Sequence, residues 1–220
     1  MKLTGRLVMM LITVTLAMSL NAYLMSIHSL NIYIIVISCG AVVLSWYGGK
    51  HYDQVRDEAE RDSLTTAYRR RTAYLLFDRL QQKARRTGRA VAVFFIDIND
   101  FKLINDHYGH AVGDVMLRKT VEALMEVNSR QTHVVRFGGD EFLVLTLCDS
   151  EAELEDTHQE MVERLESIPA LTAVSLTVSI GRAWYPQQST RLDDLIDSAD
   201  QEMMHAKRRV KQGRRNTAVN

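Results

Sequence analysis

The stretch Arg136-Phe137-Gly138-Gly139-Asp140-Glu141 stands between two apolar runs, His133-Val134-Val135 and Phe142-Leu143-Val144-Leu145-Thr146-Leu147, and this arrangement narrows the possible folds most sharply. Two strand-forming runs joined by a short glycine-bearing link read as a β-hairpin. Gly138 and Gly139 offer positive φ and room for another group to approach the backbone. Asp140 and Glu141 are thereby displayed at a strand tip. Acids at a turn are ordinarily solvated, so this pair gains meaning only from acids elsewhere in the chain.

Those acids lie upstream. Ala90-Val91-Ala92-Val93-Phe94-Phe95-Ile96 is an unbroken apolar run ending in Asp97, the pattern of a strand buried on both faces. Asp97 then falls at the C-terminal end of that strand, where open α/β sheets bind their ligands. The following Asn99-Asp100-Phe101-Lys102-Leu103-Ile104-Asn105 turns into a helix, whose free N–H groups make an anion site. Strand, carboxylate, helix start and lysine, in that order, suit a metal-bound triphosphate. Mg²⁺ takes one or two carboxylates plus phosphate oxygens, and Asp97 and Asp140 form the natural pair.

Asp97-Ile98-Asn99-Asp100-Phe101-Lys102-Leu103-Ile104-Asn105-Asp106, Tyr108-Gly109-His110, Gly113-Asp114 and Gly138-Gly139-Asp140-Glu141-Phe142, with Ser179-Ile180-Gly181 and Ala206-Lys207 near the end, resemble the GGDEF-domain diguanylate cyclases. The resemblance runs from Asp62 to Asn216 in the right order and spacing. It implies an α/β (α+β) fold with a central mixed sheet, like the palm of nucleotidyl cyclases. It also implies an activity, in which two GTP molecules, one on each subunit of a homodimer, become cyclic di-GMP with release of pyrophosphate. Carried onto this chain, Asp97 and Asp140 hold Mg²⁺ (Mn²⁺ as a substitute), with the backbone carbonyl of Ile98. Glu141 assists either the metal or deprotonation of the attacking hydroxyl. Phe101, Lys102, Lys207 and, through a second basic position, Lys211 serve the substrate and its phosphates. Asn105 and Asp114 match the guanine-contacting pair. One carboxylate accepts from both N1–H and N2–H₂ of guanine, whereas adenine would turn a lone pair toward Asp114. Such a buried mismatch costs orders of magnitude in selectivity.

The chain departs from the family pattern at three places. Asp62-Ser63-Leu64-Thr65 keeps the entry motif, but Arg69 stands where Asn is expected, which bears on the packing of the first segment. Met204 replaces a frequent Tyr, read as a packing change. Ser129-Arg130-Gln131-Thr132 lacks the Arg-x-x-Asp product-binding site, so feedback inhibition through that site is not expected. A catalytically silent module that binds GTP or relays a signal to a membrane or effector protein is the alternative. Silent modules usually lose a hairpin acid or the first metal carboxylate, and all are retained here.

No acid precedes Asp53, and Leu7–Met25 and Leu30–Tyr47 are apolar runs separated by Ser26-Ile27-His28-Ser29. Their lengths suggest two transmembrane helices. Lys2 and Arg6 on one side and Lys50 and Arg56 on the other put both termini in the cytoplasm. That makes the chain a multi-pass inner-membrane protein in contact with the lipid bilayer, with its catalytic domain in the cytoplasm. Trp46 and Tyr47 would mark the inner interface, and Tyr23 and Tyr33 the outer. A cleaved signal peptide for the first run conflicts with the second run, and a buried hairpin of a soluble protein conflicts with the lack of an amphipathic face. Gly48 and Gly49 are expected to end the second span, and Lys50–Arg61 to form a short stalk able to pair two chains as a coiled coil. The domains are thus 1–49, a membrane hairpin; 50–61, a stalk; and 62–220, the catalytic domain.

Lys and Arg match Asp and Glu in number, 27 against 27, so no basic excess speaks for nucleic-acid binding. Cys39 and Cys148 fall in different segments and form no disulfide framework. Periodicity predicts helices over 71–86, 103–127, 151–168 and 192–209, strands over 91–97 and 175–183, and the hairpin over 133–147. No phosphodiesterase motif is expected after the catalytic domain.

Overall fold

A computed structural model describes residues 5–26, 32–127, 132–169 and 176–217. Two compact units, Met1–Ala59 and Glu60–Asn220, divide the chain. The first contains helix α1, Gly5–Ser26, and most of helix α2, Ile32–Glu60.

Among the described residues no helix is long and apolar enough to cross a membrane. This corrects the expectation of two transmembrane spans, and with it the multi-pass inner-membrane location. In α1 the apolar residues are interrupted by Thr13, Thr15, Ser19 and Asn21. Three of those hydroxyls return to backbone carbonyls, Thr13 to Met9, Thr15 to Leu11 and Ser19 to Thr15, at 2.7–2.9 Å. Thr13 Oγ1 also meets Ser45 Oγ of α2 at 2.7 Å. In α2 the glycines do not end the helix, which passes through Gly48 and Gly49 into the charged residues up to Glu60. Glycine weakens a helix by about 1 kcal/mol but does not break it. The apolar part, 32–47, is therefore about 24 Å long at 1.5 Å per residue, short of the roughly 30 Å hydrocarbon layer. Tyr33 and the stalk positions 54–59 have side chains outside the described residues.

The second unit is built on strands β1 (Tyr68–Arg69), β2 (Ala90–Ile98), β3 (His133–Arg136), β4 (Glu141–Cys148) and β5 (Val178–Tyr185). Their order across the sheet is β1-β3-β4-β2-β5. β1 runs parallel to β3 and every other pair is antiparallel, so the sheet is mixed, as expected. β2 is central, and all nine of its residues are buried. Ala90, Ala92, Phe94, Ile96 and Ile98 face one core, while Val91, Val93 and Phe95 face the other. Two covered faces demand apolar residues at every position, which is why the run lacks alternation.

On the first face lie α4 (Phe101–Tyr108), α5 (His110–Glu126) and α6 (Glu151–Glu166), and on the second α3 (Thr72–Thr87) and α7 (Leu192–Thr217). The single helix anticipated over 103–127 is two. Gly109 at φ +82°, ψ +158° breaks it, a backbone conformation in which a Cβ would be strained. α3 buries Ala73, Leu76, Phe77, Leu80 and Ala84, the i, i+3, i+4 spacing of a single apolar stripe. α7 approaches β5 so closely that a Cβ on Gly181 would stand 1.9 Å from the Ala199 carbonyl oxygen and 2.3 Å from the Met203 nitrogen. Met204 is 40% exposed, so its replacement of Tyr is not a change in core packing. β5 forms one edge of the sheet, and its Arg182 and Trp184 N–H groups donate to Glu202 Oε2 and Gln188 Oε1 at 3.0 and 2.7 Å. These side chains cap an edge that would otherwise be open to another strand.

Candidate active site

Two strand ends bring the acids together. In the antiparallel ladder Asp97, near the end of β2, faces Glu141, the first residue of β4, and on its other side Ser179 of β5. Strand parity sends Asp97 and Glu141 toward the α3/α7 face, together with Val93, Phe95 and Leu143. The Ile98 N–H donates to the Asp140 carbonyl at 3.2 Å and ties the hairpin to the end of β2.

The hairpin closes by Phe137 N–H and Gly138 N–H both donating to the Glu141 carbonyl, at 2.8 and 3.2 Å. Neither Gly138 nor Gly139 has positive φ. Gly138 leaves room for the Glu141 carboxylate, whose Oε2 would lie 2.3 Å from a Cβ there and would have to swing aside. Arg136 braces the loop from outside. Its Nε and one terminal nitrogen donate to the Gly139 carbonyl at 3.2 and 2.8 Å, and its other terminal nitrogen donates to Asp62 Oδ1 at 3.0 Å. Asp62 Oδ1 also accepts from Thr65 N–H and Thr65 Oγ1, at 3.0 and 2.8 Å. Burial would raise the Asp62 pKa, but the Thr65 and Arg136 bonds outweigh it and hold the carboxyl below the usual range. Arg69 sits at the start of this brace, its Nε donating to the Arg61 carbonyl at 2.6 Å, so the segment is tethered without the expected Asn.

Lys207 of α7 reaches Asp97, with Nζ 2.5 Å from Oδ1. Glu141 is pushed above the ordinary glutamate range, first by burial and then by the Asp140, Asp97 and Asp200 carboxylates, with Lys207 partly offsetting them. A carboxyl raised in this way is a stronger base. Beside it a cleft of about 260 Å³ is lined by Arg70, Phe95, Phe137, Glu141 and Asp200 among others. Arg70 lies 4.1 Å over the Phe137 ring.

Asn105 on α4 and Asp114 on α5 are brought together through Gly113. A Cβ on Gly113 would stand 2.0 Å from Asn105 Oδ1, so the amide crosses onto α5 beside Asp114. Asn105 Oδ1 is buried without a hydrogen-bond partner, an acceptor open to an N–H donor. Asp114 is half-buried. Phe101 packs against the core at the start of α4, and Lys102 follows it, exposed. Lys211 lies on α7, with its side chain outside the described residues, as do positions 129–131 of the degenerate product-binding stretch.

No group of three or more His, Cys, Asp or Glu side chains that could hold a metal occurs among the described residues. Asp97, Asp140 and Glu141 are thus not a preformed cage. Two carboxylates that gain phosphate oxygens from a substrate are the donor set Mg²⁺ prefers, so the residues fit a metal arriving with a nucleotide.

Besides the Lys207–Asp97 pair, sequence reasoning did not anticipate two contacts. Ser179 Oγ donates to Asn99 Oδ1 at 2.9 Å while Asn99 Nδ2 is buried and unpartnered, and Arg136 pairs with Asp62. The entry motif and the arginine before the glycines were visible, but nothing in their spacing, 74 residues apart, signals that they touch.

Residues 59–213 match the family model "Diguanylate cyclase, GGDEF domain". The chain is 35% identical over 158 residues to Diguanylate cyclase DosC of Escherichia coli (strain K12), covering 70% of this chain and 34% of the relative. It is 32% identical over 147 residues to Cyclic di-GMP phosphodiesterase NbdA of Pseudomonas aeruginosa, covering 66% and 19%. Among solved structures, a variant of P. aeruginosa PA1120 (TpbB or YfiN) comprising only the GGDEF domain aligns with TM-score 0.62 at 31% identity, over 68% of this chain and 89% of that one. The chain spans about a third or less of the length of these curated relatives.

Proposed function

Since the chain belongs to the family of diguanylate cyclase GGDEF domains, we propose that it condenses two GTP molecules into cyclic di-GMP and two pyrophosphates, each of two copies presenting one nucleotide. The observation that carries this reading is the pairing of Asp97 with Glu141 across two strand ends, with Lys207 on Asp97. Asp97, Asp140 and the Ile98 carbonyl would hold Mg²⁺ or Mn²⁺. When bound, the ion supplies charge neutralisation and a more acidic hydroxyl.

Asn105 and Asp114 fix guanine, and Phe101, Lys102, Lys207 and Lys211 orient the phosphate chain. Phosphoryl transfer is driven mainly by such positioning. The 3′-oxygen of one nucleotide bonds to the α-phosphorus of the other as the bond to pyrophosphate breaks. Glu141, with its raised pKa, takes the proton of that hydroxyl and passes it to solvent. Retention of all three acids favours this reading over a silent GTP-binding module.

The test is the purified full chain with GTP and Mg²⁺, products identified by mass spectrometry, beside an Asp140→Ala, Glu141→Ala double variant. Cyclic di-GMP from the intact chain alone supports the proposal. Absence of product from a protein that is dimeric and binds GTP would transfer the reading to the silent module.

A further inference from the structure

Lys207 and Asp97 are separated by 110 residues, yet their charged atoms are 2.5 Å apart, with side chains 23% and 10% exposed. An ammonium at that distance occupies one oxygen of a carboxylate that has little solvent to replace it. A divalent ion binds a carboxylate oxygen at about 2.0–2.1 Å. Two such cations on one oxygen would be in mutual repulsion across a poorly solvated gap.

We propose that Lys207 is a counter-ion switch: it holds Asp97 in the nucleotide-free protein and moves to the phosphates when metal and nucleotide enter together. The proposal rests on the reading above that Asp97 is a metal ligand. Bare divalent ions are then bound poorly, because they must displace Lys207 with nothing to receive it. A nucleotide supplies the receiver, since its phosphate oxygens take the released ammonium while the ion takes Asp97. Metal and nucleotide thereby strengthen each other's binding, and the coupling is reciprocal.

The frame of α7 suits this role. Its backbone is pressed onto β5 at Gly181, and Met203, one turn before Lys207, is buried. The base of the lysine is anchored while its long stem leaves the ammonium free to travel. Lys207 is also the cation that offsets the acids around Glu141. Its removal takes one positive charge away from Asp97, Asp140 and Glu141 and makes them more attractive to an unaccompanied divalent ion.

The experiment measures Mn²⁺ binding to the full chain by the electron paramagnetic resonance signal of free Mn²⁺, with and without the non-reacting analogue guanosine 5′-(α,β-methylene)triphosphate. Wild type is expected to bind Mn²⁺ alone weakly and at least tenfold more tightly with the analogue. Lys207→Met is expected to bind Mn²⁺ alone about tenfold more tightly than wild type, yet to bind the analogue about tenfold more weakly. Lys207→Arg, which keeps the charge, should stay close to wild type for Mn²⁺ alone. Changes of opposite sign are not what a loosened fold produces. Equal or weaker binding of Mn²⁺ alone by Lys207→Met, in protein with an unchanged melting temperature, overturns the switch and leaves the cyclase reading standing. If Asp97→Asn retains wild-type Mn²⁺ binding in the presence of the analogue, the assignment of Asp97 falls and takes the switch with it.

Discussion

Glu141 and Asp62 show opposite responses of a carboxyl to its surroundings, and each yields a test. Glu141 has a raised pKa, so the stability its protonated form gives is fully present below the ordinary glutamate range and is lost as pH rises through the raised value. Glu141→Gln should therefore melt higher than wild type at pH 7, the gap closing below about pH 4, while product formation disappears. A lower melting temperature for the variant at pH 7 contradicts the reading. Asp62 has a depressed pKa, so its contribution is present above the unfolded value and lost as pH falls through the folded one. Asp62→Ala should cost about 2 kcal/mol at pH 7, from bonds to a charged acceptor, or a melting temperature lower by about 4–8 °C for a domain of this size. Melting both proteins at acid pH should show that difference shrinking. The reacting acids were legible because each sits at the end of an apolar run. The contacts around them were not, because the pairing of Lys207 with Asp97, and of Arg136 with Asp62 and the Gly139 carbonyl, is chosen by the fold and not by sequence spacing.

Helices and strands were read well where one face or two were uniformly apolar, as in α3 and β2, and less well where a single backbone angle decides. Gly109 splits what periodicity alone joins into one helix, while Gly48 and Gly49, read as a stop, lie inside α2. The difference is conformational: Gly109 has positive φ, and neither Gly48 nor Gly49 does. Gly181 is decided by distance. Gly181→Ala would press a methyl into the backbone of α7 at 1.9 Å from Ala199 O, and since neither partner is a mobile side-chain end, α7 must shift. Overpacking of this kind costs about 3 kcal/mol, or roughly 6–12 °C in melting temperature. Thermal denaturation reads it directly, and a loss under 2 °C would mean that β5 and α7 separate easily. The short β1 escaped the sequence reading because two residues carry no period.

The molecule as a whole presents half of the proposed reaction, so its activity should depend on a second copy. Product per chain should rise with protein concentration across a dilution series and then level off. A constant value down to nanomolar concentration, with a monomer confirmed by light scattering, would exclude the two-copy scheme. The mixed sheet was legible from the ordered motifs. The first unit was misread, because apolar composition was weighed without the hydroxyls within α1, and because Gly48 and Gly49 were taken to end a helix that runs through them. The central position of β2 also governs how the protein comes into being. Both flanking strands, β4 and β5, follow it in the chain, and Lys207 leaves the ribosome 110 residues after Asp97. At 5–20 residues per second that delay is roughly 5–20 s, and β2 gains its neighbours β4 and then β5 within it, before Lys207 arrives. A nascent chain that stops short of α7 carries Asp97, Asp140 and Glu141 but lacks Lys207, so under the proposed mechanism it holds the acids without their counter-ion.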